Sequence, residues 1–261
     1  MQTTHSKEGC QTHISDADRQ ILARIIEVLG LFVPLEPIGR YVSMSADEVW
    51  LTLVIQVCVM GSARPIERLT GHPHPERYKD FEKAVALSTV VSQQNPAAYL
   101  SKVLKCFSAT RFHQKSANKL VTVLSSPDAF NKDEGLLFDG LSHQKDAIET
   151  RDELIRRCPI LGLKSASDFM ISVGLSHDVI ALDTRVIGIF RKYFGYNLTS
   201  GQVQSKREFY LSLEGGLREL CREKQVSLAF LDRLLFKFGN VNAIELIVKY
   251  LSGSLTGSAA P

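Results

Sequence analysis

Lys164 and Asp183 are the residues whose types and spacing could do chemistry together. Lys164 follows the run Pro159-Ile160-Leu161-Gly162-Leu163, and Asp183 lies nineteen residues later, directly before Thr184-Arg185-Val186-Ile187. An unprotonated amine is a nucleophile, and a carboxylate nearby stabilises positive charge developing on the carbon under attack. At a glycosidic carbon such a pair breaks the bond and leaves the sugar covalently attached to the lysine. That chemistry calls for no metal and no cofactor.

Each residue also has a plain structural explanation. Lys164 in a first helical turn opposes the helix macrodipole. Attack needs the neutral amine, a form that an ordinary lysine populates in roughly one molecule in two thousand at pH 7. Alone, Lys164 reads as a solvated surface lysine. Asp183 alone reads as the N-cap of the following helix. The two roles of Asp183 are compatible, since one carboxylate oxygen can accept a helix N–H while the other faces a substrate. The run around Gly162 reads as a turn between helices, whose exposed N–H groups at Leu161, Gly162, Leu163 and Ser165 can hold a phosphate without a charged side chain.

The elements that must position these groups are helices. Ile21, Ile25, Ile26 and Leu29 recur at helical spacing behind Ser15 and Asp16, and Ser45 with Glu48 forms a capping box before Val49–Met60. The pattern predicts further helices over Phe81–Val91, Ala97–Phe107, Lys115–Leu124, Leu136–Arg157, Ser165–Val173, Thr184–Phe194, Lys206–Lys224, Ala229–Phe238 and Ala243–Leu251. Glycines 174, 195 and 239 fall where left-handed residues end helices. No run of period two is long enough for a sheet, so the fold class is all-α. Residues 1–14 and 252–261 are small and polar and read as disordered, and Asn131 to Ser142 reads as a longer loop.

Composition narrows the function. With 261 residues, 44% of them hydrophobic, the chain can bury one large core or two. A net charge of +3 permits a nucleic-acid partner without demanding one. The five cysteines are scattered with no C-x-x-C pair, which argues against structural zinc and against an iron–sulfur cluster. The polar N-terminus holds no apolar signal segment, and Val49 to Met60 is too short to span a membrane. A protein that is not secreted and not in a membrane is expected.

The joint pattern says more than its parts. Leu-Gly-Leu-Lys-Ser-Ala-Ser-Asp-Phe-Met-Ile-Ser-Val-Gly followed by Ala-Leu-Asp-Thr-Arg-Val resembles the helix-hairpin-helix base-excision DNA glycosylases. It is most similar to their lysine-bearing 8-oxoguanine glycosylase/lyase branch, with Arg111-Phe112-His113 and Lys115-Ser116-Ala117 as a further echo of an R-F-x-x-x-K-A segment. The chain departs from that pattern at Ile160, Ser165 and Thr184-Arg185-Val186. The resemblance implies two packed helical subdomains, 15–45 with 180–251 and 46–179, the second ending in a helix-hairpin-helix at about 155–174. It implies Lys164 as nucleophile, Asp183 as its charged partner, and a monomer acting on double-stranded DNA with a damaged base, in the nucleoid-bearing cytoplasm or the nucleus. It also implies a loop that fills the gap left by an extruded base. Gln93, Gln94 and Asn95 are preferred for that loop over Met60–Arg64, since their amides can bond base edges. Phe169, Phe209, Phe230, Phe236 and Phe238 are candidates to stack on the extruded base. Excision of another damaged base, a non-catalytic DNA- or protein-binding hairpin domain, and a helical adaptor remain open on the residues alone.

Overall fold

The computed structural model describes residues 14–34, 37–71, 75–131, 135–136, 141, 146–239 and 242–256. Its backbone falls into two compact units, Pro37–Leu175 and Met1–Glu36 with Ser176–Pro261. The sequence pattern puts these boundaries after residues 45 and 179. The earlier boundaries follow from the peptide of Gly39, whose N–H donates to the carbonyl of Gly174 at 2.7 Å and ties residues 37–45 to the first of these units.

Helix α1 (Asp16–Leu29) opens the described chain and belongs to the discontinuous unit. The unit Pro37–Leu175 holds α2 (Ala46–Cys58), α3 (Arg64–Thr70), α4 (Pro75–Val85), α5 (Leu87–Val91), α6 (Pro96–Cys106), α7 (His113–Leu124), α8 (Ala147–Arg157) and α9 (Leu163–Ser172). A two-residue ladder pairs β1 (Phe130–Asn131) with β2 (Gly135–Leu136). The core is built on fully buried Trp50, Leu53, Phe81, Leu100 and Phe169. The predicted capping box is present: Ser45 accepts the Glu48 N–H, and the Ser45 N–H donates to the Glu48 carboxylate at 2.7 Å.

Two predicted helices in this unit differ, and one helix is not predicted. Phe81–Val91 is two helices, because Ala86 is extended (φ −49°, ψ 138°) and donors from elsewhere take the last carbonyls of α4. The Trp50 indole N–H donates to the Val85 carbonyl at 2.8 Å, and the Tyr99 hydroxyl to that of Ala84 at 3.0 Å. The helix expected from Leu136 begins at Ala147, where Asp146 accepts the N–H groups of Ile148 and Glu149. Short α3 carries no periodic signature and has no counterpart in the sequence pattern. Residues 132–134, 137–140 and 142–145 of the expected loop region lie outside the described residues, as do 1–13 and 257–261 of the expected disordered ends.

Gly174 ends α9 with φ +67°, and a Cβ there would stand 2.2 Å from the Pro37 carbonyl oxygen. The position therefore requires glycine twice over. Ser108 holds the equivalent place after α6 at φ 54°, with its N–H bonded to the Lys105 carbonyl and that of Ala109 to Leu104. A side chain in this conformation costs about 1 kcal/mol or more. Ser108→Gly should raise the unfolding midpoint by about 2–4 °C in calorimetry.

The other unit holds α1, α10 (Thr184–Phe194), α11 (Ser200–Ser205), α12 (Arg207–Glu223), α13 (Leu228–Phe238) and α14 (Asn242–Thr256). Ser15 is the cap of α1, accepting the Asp18 N–H. Short α11 is absent from the sequence pattern although Thr199 and Gln202 form a capping box. Gly195 is left-handed as expected (φ 69°), whereas Gly239 is right-handed (φ −63°) and simply extends the turn of α13. α14 continues through Thr256, past residue 252 where disorder was expected. Ile14, Leu22, Ile25, Phe190 and Tyr210 are fully buried in this unit.

Candidate active site

Helices α8 and α9 and the turn between them form the hairpin. Cys158 closes α8, and the Leu161 N–H donates to its carbonyl at 3.0 Å. Leu161 is 1% exposed, so its side chain is core and its N–H is spent within the turn, unlike the phosphate donor expected there. The first donor inside α9 is Ala166, whose N–H reaches the Gly162 carbonyl at 2.9 Å. The N–H groups of Leu163, Lys164 and Ser165 precede it, and Gly162 offers no side chain to cap them. Gly162 is exposed and extended (φ −91°, ψ 179°), and a Cβ added to it would meet nothing within 4 Å. Its value is therefore an open approach to the helix start, not a special backbone angle. Burial pushes the Cys158 thiol up to about 12, which makes it a packing group.

Lys164 sits in the first turn of α9, one-fifth exposed, and its Nζ donates to the Asp168 carboxylate at 3.3 Å. The pair spans one helical turn, and that spacing is legible in the sequence once a carboxylate is sought four residues on. The same turn is braced from behind. The fully buried Arg151 of α8 donates through Nη1 to the Ser167 hydroxyl at 2.9 Å, and that hydroxyl donates to the Leu163 carbonyl at 2.9 Å. This relay fixes the start of α9 against α8 and so sets where Lys164 emerges. Ser167→Ala removes a buried partner of a guanidinium and should cost about 1–3 kcal/mol in denaturant unfolding.

The loop Ser92–Asn95 between α5 and α6 divides its labour. Half-buried Gln93 donates to the Thr89 carbonyl at 3.0 Å, and Asn95 caps α6 by accepting the Ala98 N–H at 3.0 Å. Gln94 is exposed and makes no hydrogen bond among the described residues. Of the three residues singled out, Gln94 leaves its whole amide unengaged, while Gln93 and Asn95 each commit one amide atom within the loop. In the second candidate loop, Met60–Arg64, Gly61 has φ +87° and its hydrogen faces the Phe112 ring, 3.0 Å from where a Cβ would stand. Phe112 itself is 50% exposed at the start of α7. Phe169 is fully buried in the core, while Phe236 lies under the Arg185 guanidinium, 4.1 Å from it.

Asp183 belongs to the unit containing α10, which it caps. Its Oδ1 accepts both the Arg185 N–H at 2.8 Å and the Val186 N–H at 2.9 Å. Its Oδ2 makes no hydrogen bond among the described residues. The cap and the free oxygen are thus separate atoms of one side chain.

The approach to Asp183 is held in an unusual way. Residues 179–182 are buried and non-helical, and among the described residues no strand pairs with them. Side chains replace the sheet: Ala181 N–H reaches Asp232 at 2.8 Å, Ile180 N–H reaches Glu214 at 3.3 Å, and Leu182 N–H reaches the Tyr210 hydroxyl at 3.3 Å. Gln204 donates to the Leu182 carbonyl at 3.1 Å. A buried peptide group left unpaired is costly, so these four side chains specify the path of the chain into Asp183. Their only sequence signal is that of polar residues among apolar helix positions.

Among the described residues, no three His, Cys, Asp or Glu side chains come together as a metal site, and no helix is long and apolar enough to cross a membrane. Comparison with known proteins ties the hairpin to a lineage. The family model described as Ogg-HhH, 8-oxoguanine DNA glycosylase, matches residues 81–226. Among solved structures, the 8-oxoguanine glycosylase/lyase of Methanocaldococcus jannaschii, crystallised with a 15mer DNA containing 8-oxoguanine, superposes with a TM-score of 0.55 at 19% identity, over 85% of this chain and 90% of that one. The 8-oxoguanine DNA glycosylase Tm1821 of Thermotoga maritima gives 0.55 at 21% identity, over 84% and 93%. These likenesses establish the shared fold. No curated protein sequence matches the chain. The matched stretch spans more than half of the chain and includes both Lys164 and Asp183, and the chain belongs to the 8-oxoguanine DNA glycosylase family of helix-hairpin-helix proteins.

Proposed function

We propose that this protein excises 8-oxoguanine from double-stranded DNA and then cuts the strand through a lysine Schiff base, as a monomer and without a cofactor. The observation that carries the reading is Lys164 in the first turn of an uncapped hairpin helix, inside the stretch that matches the family. The name of the M. jannaschii relative, glycosylase/lyase, supports both steps.

A base inside a duplex is out of reach, so the damaged nucleotide must leave the stack. Nζ of Lys164 then attacks C1′, the N-glycosidic bond breaks, and the base departs with the bonding pair and takes up a proton. Asp168, within hydrogen-bond reach of Nζ, is placed to accept the proton the amine must lose. Oδ2 of Asp183 supplies negative charge for the cationic sugar. Opening of the sugar ring gives the protonated imine, which acidifies the C2′ proton. Its loss expels the 3′ phosphate, and hydrolysis of the imine frees the lysine. The uncapped N–H groups at Leu163 to Ser165 serve as a phosphate anchor that holds the strand in register. Borohydride reduces an imine to a stable amine, so the wild-type protein should be trapped on a duplex containing 8-oxoguanine. A lesion panel in the same assay tests the base: equal trapping on every lesion, or none on 8-oxoguanine, would remove this substrate.

A further inference from the structure

We propose that a cleft formed by α3, α4 and the turn between α6 and α7 is a second DNA-backbone site, built to take phosphodiesters through Arg64, Arg68, Arg77, Lys105 and Arg111. The inference rests on the proposed action on DNA and concerns residues outside the hairpin. The cleft measures about 880 Å³, and among the described residues no aspartate or glutamate lines it. In a chain with 31 basic and 28 acidic residues, five cations around one opening with no carboxylate among them is a strong local bias. Arg64 and Arg68 face the same side of α3 one turn apart, an arrangement that repels itself unless an anion lies between them.

The five cations are also held open. None of them forms an ion pair among the described residues. Some arginines elsewhere do form ion pairs: exposed Arg156 bonds Glu153 and Asp128, and partly buried Arg19 bonds Glu219 and Glu223. Arg77 instead donates to the Phe107 carbonyl at 3.4 Å, at the end of α6, which ties its guanidinium to the cleft wall. Ser108, the left-handed residue just after α6, contributes to the same wall, so its unfavourable conformation presents a hydroxyl where a phosphate would sit. All five cations are exposed. A small anion is normally captured by buried donors, whereas an exposed rim of guanidinium forks suits a polyanion that passes over it. The neighbouring Met60–Arg64 loop and the exposed Phe112 adjoin the cleft, which places the duplex flank there.

The test is the salt dependence of binding to undamaged and 8-oxoguanine-containing duplexes, followed by fluorescence anisotropy. Removing one cation from a phosphate lowers the slope of log K against log salt by about 0.9. The double variant Arg68→Gln, Arg77→Gln should therefore flatten the slope by nearly 2 on both duplexes, while Arg68→Lys, Arg77→Lys should restore it. Melting by circular dichroism confirms that each variant is folded, and Arg64→Gln, Arg111→Gln repeats the test from the opposite wall. A wild-type protein that binds DNA with a slope unchanged in both Gln pairs would overturn the cleft while leaving the catalytic reading intact. Stabilisation by tripolyphosphate that disappears in the variants, with the DNA slope unchanged, would make it a small-anion site and overturn it equally. Wild-type protein that binds no duplex and forms no borohydride adduct would overturn the catalytic reading itself.

Discussion

Lys164→Gln should abolish the borohydride-trapped band and slow release of 8-oxoguanine by at least three orders of magnitude, about 4 kcal/mol of transition-state stabilisation. Glutamine keeps a side chain of similar length and can still bond Asp168, which lies 3.3 Å from Nζ, so α9 should stay folded. What it removes is the lone pair, and with it every covalent step. Binding to DNA should change little, because the phosphate anchor proposed for the hairpin uses the peptide N–H groups at Leu163 to Ser165, which Lys164→Gln leaves in place. A gel of the reduced mixture reads the adduct directly, and a single-turnover base-release assay reads the chemistry. A full-strength adduct from this variant would move the nucleophile to another amine and with it the whole assignment of the site.

The hairpin was legible because its signals are local. A glycine, an adjoining lysine and an apolar stripe of Ala166, Phe169, Met170 and Val173 lie within one short segment, and each of those four side chains is buried as its spacing required. The cap at Asp183 was legible for the same reason, since an aspartate before a periodic run has few other uses. Local reasoning fails where the deciding partner comes from elsewhere in the chain. The break at Ala86 depends on Trp50 and Tyr99, which take carbonyls that a continuous helix would have used itself. Gln93 reads as a contact for bases because it is an amide in a loop, and its sequence gives no sign that its Nε2 donates to the Thr89 carbonyl. The side chains that guide residues 179–182 come from as far as Asp232, and the basic cleft gathers residues from Arg64 to Arg111. Neither grouping has a spacing that a sequence could display.

Asp183→Asn separates the capping bonds of that residue from the catalytic charge proposed for it. Asparagine is as good an N-cap as aspartate, and both capping bonds use the single oxygen Oδ1. An asparagine with its carbonyl in that place keeps both bonds, so unfolding stability should move by only a few tenths of a kcal/mol. Asp183→Ala removes the cap and should cost about 1 kcal/mol. The catalytic effects should not follow that order. Both variants remove the negative charge at Oδ2, and loss of one preorganised charge at a developing cation is worth on the order of 10²–10³ in rate. Base release should therefore fall alike in Asn and Ala while stability differs, with DNA affinity nearly constant across the three proteins. Were Asp183 only a cap, activity would instead track stability, and the Asn variant would turn over like the wild type. Single-turnover measurements beside denaturant melts on the same three proteins distinguish the two patterns.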